Sequence, residues 1–258
     1  MDTYTSYRLI ARDIPKAIDR VEAQPTVKRE TDYFLANISN VKSIEDFVKD
    51  DRLFKYAMTA FGLKDMAYAK AFMAKALKEG VEDSDSFANK LTDKRYAEFV
   101  KAFNFAAEGE DATSADAARQ GTVDKYMRQT LEENAGSTNE GVRLALYFER
   151  KGPGLDNWYE VLANTALSSV VRTVLGLPDS FAKADIDKQA AYFEQKLDLD
   201  DFKDAGKLDK FLTRFTSMYE INNPTASAPS SLVSVLFAQP TTAGVSTDLM
   251  MAMQKLRF

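Results

Sequence analysis

Apolar residues recur every three to four positions along most of this chain, the period of an amphipathic helix. Val27, Thr31, Phe34, Leu35 and Ile38 share one face of a helix that Pro25 opens. Ser43 and Asp46 have the spacing of a capping box and start a short helix through Phe47 and Val48. Leu53, Tyr56, Ala57, Ala60 and Phe61 form the next stripe, and Gly62 is placed to end it. Asp65 is expected to cap a helix carrying Ala69, Phe72, Met73, Ala76 and Leu77 up to Gly80. Short helices are expected at 87–91 and 96–103. A longer one holds Val123, Tyr126, Met127, Thr130 and Leu131 and stops before Gly136, and the pattern resumes over 142–148.

Gly152-Pro153-Gly154 is the strongest break in the chain. Beyond it come Trp158, Val161, Leu162 and Thr165, then a stripe over 170–175 stopped by Gly176. Ile186, Ala190, Phe193 and Leu197 precede the cleanest stripe: Leu208, Phe211, Leu212, Phe215, Met218 and Tyr219, ended by Asn223-Pro224. No hairpin signal occurs, and the best strand candidate, 232–237, lies in a Pro/Ser/Thr/Ala-rich stretch. The pattern therefore predicts an all-α, multi-helix antiparallel bundle. Thr59-Ala60-Phe61-Gly62-Leu63-Lys64-Asp65 is echoed 114 residues later by Thr173-Val174-Leu175-Gly176-Leu177-Pro178-Asp179. Phe87 to Leu91 is echoed by Phe193 to Leu197, and Phe99 and Phe103 by Phe211 and Phe215. Two readings stay open: two similar helical units, 40–105 and 155–220, in one elongated domain over 1–222, or the ordinary likeness of helices with glycine stops. Residues 223–258 read as a linker and C-terminal arm.

Composition narrows the chemistry. The 258 residues contain no His and no Cys. That excludes imidazole acid–base catalysis, Cys nucleophiles, disulfides and zinc sites built on either residue. Asp, Glu, Lys, Tyr, Ser and Thr remain. The expectation is no catalytic, cofactor-binding or metal-ligating residue, and hence a non-enzyme. With 34 basic and 39 acidic side chains the net charge is −5, which argues against a nucleic-acid partner. No apolar run approaches the ~20 residues of a membrane span. Asp2, Arg8, Arg12 and Asp13 interrupt the first fourteen residues, so no cleavable signal peptide is expected. Asp198, Asp200, Asp201, Asp204 and Asp209 suggest a calcium loop, but Phe202 and Lys203 occupy the positions for an oxygen ligand and a glycine. A solvated turn capping the next helix is the better reading. Arg52, Arg95, Arg172 and Arg214, each inside an apolar helix pattern, are read as packing their stems on the core and pairing with a nearby acid or a helix C-terminus.

The two ends carry the candidate partner-binding residues. Tyr7, Ile10, Ile14, Ala17 or Ile18, and Val21 recur at spacings of three and four, close to a heptad seam. Leu249, Met253 and Leu256 offer a short matching stripe beyond the linker. Such stripes dock on the parent domain, on each other or on a partner, because each buried aliphatic side chain contributes about 1.5–3 kcal/mol.

Several stretches taken together resemble a known family. They are Tyr33-Phe34-Leu35-Ala36-Asn37-Ile38, Ala60-Phe61-Gly62-Leu63, Asp85-Ser86-Phe87-Ala88-Asn89-Lys90-Leu91, Arg95-Tyr96, Ala145-Leu146-Tyr147-Phe148-Glu149-Arg150 and Arg172-Thr173-Val174-Leu175-Gly176-Leu177-Pro178. They are similar to an uncharacterised alphaproteobacterial family of unknown function, often encoded beside flagellar basal-body and rod genes. The resemblance covers about residues 5–222 and brings no catalytic residues. It implies a structural or assembly protein of the flagellum that acts through helix contacts with itself or a flagellar component. The alternatives are a cytoplasmic chaperone or regulator of flagellar export and, from another class, an enzyme using only carboxylates. The expected location is accordingly the cytoplasm, or the flagellum after export without a cleavable signal.

Overall fold

The structure, a computed structural model, describes residues 1–224, which form helices and turns with no β-strand among them. In the first half run α1 (Thr3–Ala11), α2 (Ile14–Glu22), α3 (Pro25–Asn37), α4 (Ile44–Lys49), α5 (Asp51–Ala60), α6 (Lys70–Glu79), α7 (Phe87–Lys90), α8 (Arg95–Ala102) and α9 (Phe105–Glu108). The long α10 (Gln120–Thr138) leads into α11 (Glu140–Lys151), α12 (Trp158–Ala163), α13 (Thr165–Val174), α14 (Ile186–Lys196) and α15 (Ala205–Asn222). The strand candidate at 232–237 and the stripe Leu249, Met253 and Leu256 lie outside the described residues.

Side-chain caps start many of these helices. Asp2, Asp13, Ser43, Asp50, Asn139, Asn157, Asn164, Asp185 and Asp204 each accept a hydrogen bond from an amide of the first turn. Two expectations about helix ends are corrected. Asp65 does not cap α6; it lies in a 3-10 turn, and Ala69 holds the cap position without a side-chain bond. Gly136 does not stop α10, which continues to Thr138. A Cβ on Gly136 would stand 2.7 Å from Cδ of Arg143 on α11, so this glycine permits close helix crossing.

The apolar faces assemble into two cores. The first gathers α2–α10 around a ring cluster in which Phe47 meets Phe54, Phe99, Phe103 and Phe105. The second gathers α1 and α11–α15 around Phe148, Trp158, Phe193, Phe202 and Phe215. The antiparallel α10–α11 pair joins them. The amino-terminal pair is divided between the two: α1 packs on α11 and α15, whereas α2 packs on α10. Ile10 and Ile14, at the bend, touch both cores.

The displacement of 114 residues continues well beyond the matching sequence around Gly62 and Gly176. α4 and α12 both have six residues, and α5 and α13 both have ten. Their caps correspond, Ser43 with Asn157 and Asp50 with Asn164. Tyr33 donates to Asp50 at 2.9 Å, and Tyr147 accepts from Asn164 at 2.7 Å, so a tyrosine is bonded to the cap residue in both halves, with donor and acceptor exchanged. Gly62 and Gly176 have φ of 71° and 66° and close α5 and α13 with the same pair of bonds, in which Gly62 and Leu63 donate to Thr59 and Met58, and Gly176 and Leu177 to Thr173 and Arg172. Phe87 and Phe193 do not share a place: one sits in the four-residue α7, the other within α14.

Tyr7, Tyr56 and Tyr147 are buried, and burial raises the pKa of each phenol, with Glu149 adding to the effect at Tyr7. Their contribution to stability is complete below the unfolded value of about 10 and is lost as pH rises toward the folded values. An alkaline titration read by tyrosinate absorbance and circular dichroism should show these three ionising together with unfolding. Ionisation while the helices stay intact would contradict their burial.

Candidate functional site

A polar cleft of about 1260 Å³ lies at the joint between the halves. Most of its cations are paired: Lys64 with Glu133 at 3.6 Å, Lys151 with Glu98 at 2.8 Å, and Arg143 with Glu140, whereas Lys125 makes no ion pair among the described residues and lies 5.6 Å from the Phe61 ring centroid. Arg95 is held by Asp93 at 2.7 Å and donates to the carbonyl of Gly62 at the end of α5. Arg128 and Arg150 converge on the buried carboxylate of Glu132 from α10 and α11. Burial holds the Glu149 carboxyl above its usual range, against the pull of Arg128. Apart from Lys125, the arrangement pairs its charges internally. Among the described residues no group of three or more Asp or Glu is placed to hold a metal ion.

The arginines singled out in the sequence take structural roles. Arg52 pairs with Glu30 at 2.7 Å and lies over the Tyr33 ring. Arg172 donates to Ser168, and Arg214 donates to the carbonyl of Val174 at the end of α13, as Arg95 does at the end of α5. The acidic run is a capping turn: Asp198 and Asp204 accept amide bonds, while Asp200 and Asp201 pair with Lys203 and Lys207.

A second concavity is an apolar groove of about 730 Å³ between α1–α2 and α10–α11. Val21, Leu131 and Val142 are its buried wall, Ile10 and Ala135 are half-buried, and Arg20, Asn134 and Asn139 edge it. Met1 and Leu9 stand over it 68% and 63% exposed. The predicted seam is thus divided. Tyr7 and Val21 are buried in the chain's own second and first cores, and Ile10, Ile14 and Ile18 are half-buried. Of the seam, Ile10, Val21 and the alternative Ala17, itself buried, line the groove. Met1, Leu9, Leu131, Ala135 and Val142 escaped sequence reasoning. Leu9 falls off the seam's spacing, and helix periodicity does not say that α10 and α11 lie beside α1. Two adjacent large aliphatics, Leu9 and Ile10, were the available signal, since both cannot face one core.

Comparison with known families matches residues 60–208 to a protein family described as of unknown function, DUF1217. The chain belongs to the DUF1217 family. A crystal structure of protein AGR_C_984 from Agrobacterium tumefaciens is similar to this DUF1217 chain, with 52% sequence identity and a TM-score of 0.81. The similarity covers 86% of this chain and 94% of the other. No curated protein matches. No described helix is long and apolar enough to cross a membrane.

Proposed function

We propose that this DUF1217 protein is a non-enzymatic structural or assembly component of the bacterial flagellum that works through helix-to-groove contacts. The carrying observation is the apolar groove beside α1, with Met1 and Leu9 exposed above it. An amphipathic helix laid in such a groove gains its affinity from apolar anchors. The internally paired cleft and the absence of His and Cys favour contact over chemistry. The flagellar part of the reading rests on the sequence resemblance.

Removing residues 1–22 is a poor test, because it strips Tyr7 and Val21 from the two cores. Leu9→Asp is the better probe. As a surface change it should move stability by no more than about 0.5 kcal/mol. Introduced into a motile host in place of the native gene, it should reduce swimming and remove the protein from the hook–basal-body fraction. Normal swimming with normal fractionation overturns the proposal. A wild-type protein found wholly in the cytosol transfers the groove to the export-chaperone reading.

A further inference from the structure

We infer that the apolar groove beside α1 is the seat of this chain's own C-terminal segment, residues 245–258, with Leu249, Met253 and Leu256 entering it. This builds on the groove as a docking site and names what occupies it before any partner arrives.

The place where the described structure ends carries the first part of the argument. The last turns of α15 lie against α1: Glu220 accepts bonds from the amide of Thr3 at 2.9 Å and from its hydroxyl at 2.6 Å. Asn139, on the groove wall, donates to the same hydroxyl at 3.0 Å. The chain therefore leaves α15 at the mouth of the groove. Ile221, 73% exposed on that last turn, joins Met1, Tyr4 and Leu9 among the exposed large apolar residues.

Chain length supplies the second part. The Ser/Thr/Ala-rich sequence between Pro224 and Leu249 has the composition of a linker. As a coil, its root-mean-square span is about 28 Å. The nine residues of α1 extend about 14 Å. The segment reaches the whole groove without having to be stretched.

Complementarity supplies the third. The spacing of Leu249, Met253 and Leu256 is that of one face of a helix, and Asp248 adjoins them in sequence. Opposite are an apolar wall and Arg20, which makes no ion pair among the described residues. Tethering gives the segment a millimolar-scale local concentration, so at dilute protein the chain's own segment outcompetes that of a second copy. A partner helix must displace it, which makes the segment a built-in competitor for the site.

The absence of cysteine allows a direct test. In the full chain, the Leu9→Cys/Met253→Cys variant has one intramolecular disulfide to form. At dilute protein under mild oxidant it should yield a cross-linked monomer at least about tenfold faster than the Tyr68→Cys/Met253→Cys control. Tyr68 is 80% exposed and does not line the groove. Equal rates overturn the inference. Disulfide-linked dimers as the main product also overturn it and give the groove to a second copy. Removing residues 245–258 should separately speed hydrogen exchange in α1 and α2, and unchanged exchange counts against it. Neither readout involves a flagellum, so failure here and failure of the functional proposal are separate results.

Discussion

Glu132→Ala should lower the stability of the protein by about 3–5 kcal/mol, the cost of removing one partner from a buried ion pair. At about 2–4 °C per kcal/mol for a chain of this size, the thermal midpoint should fall by roughly 10 °C. The Glu132 side chain is 2% exposed and lies between two guanidinium groups. Arg128, one turn earlier on α10, donates to it at 3.1 Å. Arg150, on α11, donates twice, at 2.8 and 2.7 Å. Arg128 also reaches the carbonyl of Leu146 on α11 at 3.0 Å. Three charges thus fasten the two helices that join the cores. Without the carboxylate, Arg150 loses its ion pair and Arg128 keeps only Glu149, at 3.4 Å. Glu132→Leu combined with Arg150→Met should recover much of the loss, because an apolar pair removes the stranded charge along with its partner. Asp200→Asn, which disturbs an exposed pair with Lys203, should leave the melting curve unchanged. Thermal denaturation followed by circular dichroism measures all three variants. A loss below about 1 kcal/mol for Glu132→Ala would mean that water reaches the seam.

Phe47→Ala should cost about 3–5 kcal/mol, through lost transfer energy and the cavity that remains. Phe47 is fully buried on the short α4. Its ring centroid lies 4.7 Å from that of Phe103, 5.6 Å from Phe54, 6.0 Å from Phe105 and 6.1 Å from Phe99. These neighbours come from α5, α8, α9 and the turn between α8 and α9, so one truncation loosens several elements. Rings locked by one another relax little into a void. Phe47→Leu, which keeps much of the volume, should cost clearly less. Denaturant unfolding gives both values. Similar small losses for both variants would indicate that the cluster collapses around the site.

Much of the fold was legible locally. Serine or aspartate before an apolar stripe marked helix starts, and Ser43 and Asp204 do cap α4 and α15. Gly62, Gly80 and Gly176 marked stops, because a positive φ costs glycine little. Phe34, Phe99, Phe193 and Phe215 were assigned to inward faces by spacing and are fully buried. Where local signals compete, they misled. Gly136 looked like a stop and is a helix crossing, since only the neighbouring α11 reveals what the missing Cβ makes room for. Asp65 looked like a cap, but a 3-10 turn intervenes before α6.

The groove was only half legible. Ile10 and Val21 were on the seam, but Leu131 and Val142 come from α10 and α11, more than a hundred residues away. The sequence by itself determined that this protein is built of helices, where most of them begin and end, and which faces are apolar. Tertiary structure alone decided that α1 joins the second core while α2 joins the first, that Glu132 is held between two arginines, and that a groove remains beside α1. Periodicity records that a face must be covered, since water is a poor solvent for it. It does not record which distant helix covers it, because any apolar stripe of suitable shape satisfies the same demand.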